Sequence, residues 1–164
     1  MTYTAHPDMR IGHTHLKVSD LSRSIAFYRD VLGLEVMQTY GDQAAFLSAG
    51  GYHHHIGLNT WESRGGAKPR RGTTGLYHVA FLYPDRAALG QALASVVDAG
   101  VALAGAADHG VSEAVYFDDP DGNGIELYRD RAPEEWPRGA DGKLEMVNAP
   151  LDVAALIAEG RAAA

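Results

Sequence analysis

With eight histidines and no cysteine in 164 residues, this chain can hold a metal ion only through imidazole and carboxylate groups. Disulfides, thiolate sites and cysteine nucleophiles are excluded by the same count. Two of the histidines are placed alike: His13 stands seven residues before Asp20, and His78 stands seven residues before Asp85. The segments around them match again further on, where Ile56-Gly57-Leu58 answers Ile125-Glu126-Leu127. The chain therefore reads as two copies of one unit, with His13 and His78 as equivalent residues and Gly57 as the counterpart of Glu126. Two imidazoles and one carboxylate related by such a pseudo-two-fold can face one cavity and bind one divalent ion. They leave positions open for a substrate and for oxygen, an arrangement associated with non-haem Fe(II) oxygenases. Mn(II), Ni(II) and Zn(II) suit the same donors. His13, His78 and Glu126 are the expected metal ligands.

The elements that must carry these residues follow from periodicity and caps. Residues 11–18 read as a strand, and Asp20 then caps a helix with Leu21, Ile25, Tyr28 and Leu32 on one stripe, ended by Gly33. Residues 76–83 read as the matching strand, with Asp85 capping a helix that carries Leu89, Leu93, Val96 and Val97 and ends at Gly100. Short strands are expected at 34–40 and 43–48 in the first copy and at 101–107 and 113–118 in the second. Each unit is thus βαβββ, about 11–62 and 76–130, joined by a linker at 63–75 that holds Gly65, Gly66, Pro69 and Gly72. The fold class is α+β, a single domain over 1–150 with a C-terminal helix at 151–164 that shows Leu151, Ala154 and Ala155 on one side.

A formal net charge of −7 argues against a nucleic-acid partner, which needs a basic face. No apolar run approaches the roughly 20 residues that span a bilayer, and residues 1–10 lack the plan of a signal peptide, so a cytoplasmic location is expected.

The residues also resemble a known family. Gly12-His13-Thr14-His15-Leu16-Lys17-Val18 with Asp20-Leu21, Phe27-Tyr28 and Leu32-Gly33 are similar to the opening of the vicinal oxygen chelate superfamily. Tyr77-His78-Val79-Ala80-Phe81 and the block Asp119-Pro120-Asp121-Gly122-Asn123-Gly124-Ile125-Glu126-Leu127 resemble its second half. That superfamily includes glyoxalase I, bleomycin- and fosfomycin-resistance proteins and extradiol ring-cleaving dioxygenases. The resemblance implies two tandem βαβββ modules forming a curved mixed sheet around a metal site, with ligands at His13, His78 and Glu126.

Within the superfamily the chain looks most like catechol 2,3-dioxygenase relatives. Gly57 stands where a glyoxalase I supplies a second glutamate. His53-His54-His55 resembles the strand whose histidine serves extradiol enzymes as acid and base; the pattern favours His54, whereas strand alternation groups His53 and His55 with Gly57. Tyr116 matches a tyrosine that hydrogen-bonds the bound catecholate, and His109 a second substrate-binding histidine. The resemblance thus assigns catalytic roles to His54, His55, Tyr116 and His109. It implies Fe(II) as cofactor, a catechol-like vicinal diol and dioxygen as substrates, a part in aromatic compound catabolism, and a homodimer. A glyoxalase-type isomerase or lyase, a fosfomycin-type thiol transferase and a metal-free bleomycin-resistance-type binding protein stay open. His15 shares the face of His13 and is read as a neighbour or competing ligand. Asp119-Pro120-Asp121-Gly122 is read as a structural turn. Arg70 and Arg71 read as a solvated loop able to draw an anionic substrate.

Overall fold

The computed structural model describes residues 2–70 and 72–164, so Arg71 lies outside the described residues. The first unit contains β1 (Thr14–Lys17), α1 (Leu21–Ala26), β2 (Glu35–Tyr40), β3 (Ala44–Ser48) and β4 (Ile56–Asn59). The second contains β5 (Val79–Leu82), α2 (Arg86–Asp98), β6 (Leu103–Asp108), β7 (Ser112–Asp118) and β8 (Gly124–Asp130), and α3 (Val153–Ala162) follows. The strand orders are β1-β4-β3-β2 and β5-β8-β7-β6, the same topology twice. In each sheet the first strand runs parallel to the last and the others pair antiparallel. The chain is thus a pair of βαβββ modules with an α+β fold, each module carrying a four-stranded sheet of its own.

Local chemistry sets the helix starts. The side chains of Asp20, Asp85 and Asp152 accept from the backbone N–H of Arg23, Ala88 and Ala155, satisfying donors that a helix start leaves orphaned. The first helix is less regular than its stripe predicts. After Ala26 it widens into a π-helical turn, Phe27–Val31, that puts buried Phe27 and Tyr28 into the core together. The strands expected at 11–18 and 76–83 are also shorter. Pairing begins at Thr14↔Ile56 and Val79↔Ile125, so His13 and His78 each stand just ahead of an edge strand.

One apolar core serves both modules. Leu16, Val18, Leu47, Ile56 and Leu58 from the first sheet join Leu89, Leu93, Phe117, Ile125 and Leu127 from the second, and Leu156 of α3 is fully buried among them. Each such side chain contributes roughly 1.5–3 kcal/mol on leaving water.

The modules are locked by the turn before β8. Asp121 accepts from Ser19 Oγ at 2.6 Å, Arg23 Nη2 at 2.7 Å, Ser19 N at 3.2 Å and Ser24 Oγ at 3.3 Å. Asp119 accepts from the Tyr28 hydroxyl at 3.1 Å while its other oxygen holds the backbone N–H groups of Asp121 and Asn123. The acidic turn is thus structural and also the clasp between second module and first. No helix among the described residues is long and apolar enough to cross a membrane.

Candidate active site

Two clusters of the expected residues form, one on each module. On the second, parallel pairing of β5 with β8 brings His78 beside Glu126, with Nε2 and Oε2 at 3.0 Å. The other Glu126 oxygen accepts from the Tyr116 hydroxyl at 2.9 Å, because Tyr116 on β7 is the register partner of Glu126 on β8. His109 Nε2 meets that hydroxyl at 2.9 Å. A continuous run of polar contacts therefore joins His78, Glu126, Tyr116 and His109. Burial and the Glu126 carboxylate push the Tyr116 phenol up to about 12, so it is a neutral donor near pH 7.

The first module gathers His13, His15, His53, His54 and His55. The His13 and His54 rings lie with centroids 4.3 Å apart, and His54 packs edge-on against Phe46 at 5.1 Å. His53 and His54 share one hydrogen bond, Nδ1 to Nδ1, at 2.7 Å. Burial, then the neighbouring histidines with His13 foremost, holds the His54 pKa below its usual value. His55 turns elsewhere: its Nδ1 accepts from Ala49 N–H and meets Ser48 Oγ at 2.8 Å. Strand alternation does not govern these three residues because they precede β4, which begins at Ile56.

His15 takes a place the sequence left undefined. A side chain at Gly57 would start 2.9 Å from the His15 ring, so the imidazole lies across the position that answers Glu126 in the repeat. The missing Cβ at residue 57 was the available signal. Burial, then the charge of His13, lowers the His15 pKa.

No group of three His, Asp or Glu side chains among the described residues converges closely enough to hold an ion. His78 and Glu126 are brought together within the chain; His13 is held with His54 in the other cluster. The His78–Glu126 pair fits a metal edge. Two donors bound at about 2.1 Å and at right angles stand about 3.0 Å apart, the separation seen between Nε2 and Oε2.

Residues 10–127 match the Glyoxalase/Bleomycin resistance protein/Dioxygenase superfamily, and the chain belongs to that family. It is 42% identical over 154 residues to a catechol-2,3-dioxygenase of Bacillus subtilis, a match that takes in 94% of this chain and 53% of the relative. It is 35% identical over 131 residues to biphenyl-2,3-diol 1,2-dioxygenase 3 of Rhodococcus globerulus, across 77% of this chain and 67% of that one. A solved lactoylglutathione lyase from Agrobacterium tumefaciens superposes with a TM-score of 0.59 at 27% identity, covering 76% of this chain and 96% of its own. This chain thus spans about half the length of the Bacillus relative.

Proposed function

We propose that this protein is a non-haem Fe(II) extradiol dioxygenase that opens the ring of a catechol-like vicinal diol, both atoms of dioxygen entering the product. It works as a homodimer in which His78 and Glu126 of one copy and His13 of the other hold the ion. The observation that carries this reading is the run from Glu126 through Tyr116 to His109, a ligand-bearing carboxylate tied to two groups able to hold a diol oxygen. The likeness to two ring-cleaving dioxygenases supports it further. Separation of His13 from the His78–Glu126 pair supports a site shared between copies. So do the strands β1 and β5, each the edge of its sheet beside a ligand histidine.

When bound, the ion lowers the pKa of the diol hydroxyls and brings diol and dioxygen to one centre. The chain's own groups do the rest. His54, half-buried and held below its ordinary pKa, is neutral near pH 7 and takes a proton from a diol hydroxyl. The Tyr116 hydroxyl, neutral and aimed by Glu126, orients a diol oxygen. His109 Nε2 stands behind that hydroxyl, placed to take up a proton. His55, engaged with Ser48 and Ala49, steadies the segment that carries His54.

Lactoylglutathione lyase chemistry is the second reading, favoured by the likeness to the Agrobacterium enzyme. It calls for a second carboxylate at the position of Gly57, where the His15 ring lies instead. Equilibrium dialysis against Fe(II) under argon tests the site. We expect one ion per chain, lost in Glu126→Ala, and oxygen uptake on adding catechol. Bound iron with turnover of a glutathione hemithioacetal and no oxygen uptake would reassign the protein as a lyase.

A further inference from the structure

Residues 137–149 lie beyond the stretch matched by the family and belong to neither βαβββ module. They form a strap. Gly139 N–H donates to Lys143 O and Glu145 N–H to Pro137 O, which folds 137–145 into a narrow hairpin. The chain then runs antiparallel along the end of β6, the outer strand of the second sheet. Asp108 and Ala149 exchange both backbone hydrogen bonds at 2.9 Å, and Val147 N–H donates to His109 O at 3.0 Å. The strap also passes close over Gly110, where a Cβ would meet Pro137 Cγ at 2.7 Å and the backbone is left-handed at φ +75°.

These rungs seat one more contact. Val147 O lies 3.2 Å from His109 Nδ1. A carbonyl only accepts, so Nδ1 of the neutral ring carries its proton and Nε2 accepts from the Tyr116 hydroxyl, whose one proton is then divided between His109 and Glu126. On the other side the same turn is pinned through Asp108, whose carboxylate accepts from Gly110 N–H at 2.8 Å and from Arg131 Nη2 at 2.5 Å. Arg131 also reaches Glu113, a buried carboxylate that receives Arg86 and Arg129.

We propose that the strap of residues 137–149 is the positioning element for His109, its Val147 carbonyl fixing the ring with the proton on Nδ1 and Nε2 on Tyr116. Val147 is a positioning residue that acts through its backbone. The catalytic consequence rests on the dioxygenase reading; the tautomer does not.

The test is a two-bond ¹H–¹⁵N correlation spectrum of the ¹⁵N-histidine-labelled full chain, metal-free and Zn(II)-loaded, with His109 assigned by its loss in His109→Gln. At a pH where the ring is neutral, we expect Nδ1–H in the wild type and in Val147→Ala, which keeps every backbone bond. Val147→Pro removes the donor to His109 O and is expected to raise the Nε2–H fraction. Ring-cleavage kcat in Val147→Pro is expected to fall about tenfold, short of the roughly hundredfold or more that full loss of an acid–base group costs, at little change in KM. Nε2–H as the main form in the wild type would overturn the proposal whether or not the variant folds. So would an unchanged tautomer in a folded Val147→Pro. A wild type with the Nδ1–H ring but no oxygen uptake would leave the strap's role standing and remove the dioxygenase reading.

Discussion

Mixing two inactive variants distinguishes a site shared between copies from one closed within a chain. His13→Ala removes an exposed imidazole ahead of β1, and His78→Ala removes one whose side chain is 31% exposed, so neither substitution opens a core cavity. On the proposed shared site, each variant's homodimer would lack one ligand at both sites, and no activity is expected from either alone. Random exchange between equal amounts makes about half of the dimers mixed. In a mixed dimer one site takes His13 from the His78→Ala chain and His78 with Glu126 from the His13→Ala chain, and is intact; the other lacks both histidines. The mixture should therefore regain about a quarter of wild-type activity. The assay is oxygen uptake with catechol after exchange in mild denaturant, with differently tagged chains so that mixed dimers are counted by native mass spectrometry. Mixed dimers present at the expected share without activity would refute the shared site. Activity in His13→Ala alone would remove His13 from the ligand set.

Tyr116→Phe deletes a hydrogen bond to a charged carboxylate, worth about 1.5–3 kcal/mol; if that bond acts in the transition state, kcat should fall about ten- to a hundredfold with the metal content intact. Asp121→Ala removes the acceptor for Ser19, Arg23 and Ser24, costing about 2–4 kcal/mol, and should lower the melting temperature by about 5–15 °C in calorimetry. Burial raises the Asp121 carboxyl, but bonds from Ser19 and Arg23 outweigh it and hold its pKa below the usual range. Its stabilisation is therefore present above about pH 4 and fades as pH falls through the lower folded value, so the stability gap between wild type and Asp121→Ala should close in acid. Gly160→Ala sets a methyl group against the Gly90 backbone where α3 rests on α2; we expect about 1–3 kcal/mol lost in denaturant unfolding, with unchanged activity of the folded fraction.

The duplication was legible because strand, cap and helix stripe each recur at the same spacing in both halves, and local rules of that kind survive into the fold. That His78 and Glu126 would lie near one another was legible from the repeat, whereas Tyr116 came from the family resemblance and the β5–β8 and β7–β8 registers that join all three came only with the structure. Sequence periodicity failed where the backbone leaves regular geometry. The helix at Phe27–Val31 takes a π turn that the stripe does not reveal, and residues 53–55 precede their strand, so alternation did not sort the three histidines. Contacts with no period at all were invisible: His15 across Gly57, the Asp121 clasp and the strap on His109 each join residues through space. Of these only Gly57 left a trace, as a glycine in a strand position where its repeat mate is a glutamate.

Ring cleavage itself is the most direct test. The protein is loaded anaerobically with Fe(II), catechol is added in air, and oxygen consumption is followed with visible absorbance. A yellow ring-opened product, one dioxygen consumed per catechol, and loss of both signals in His78→Ala are expected. Iron bound at full occupancy with no oxygen consumed on catechol or its substituted forms would contradict the dioxygenase reading.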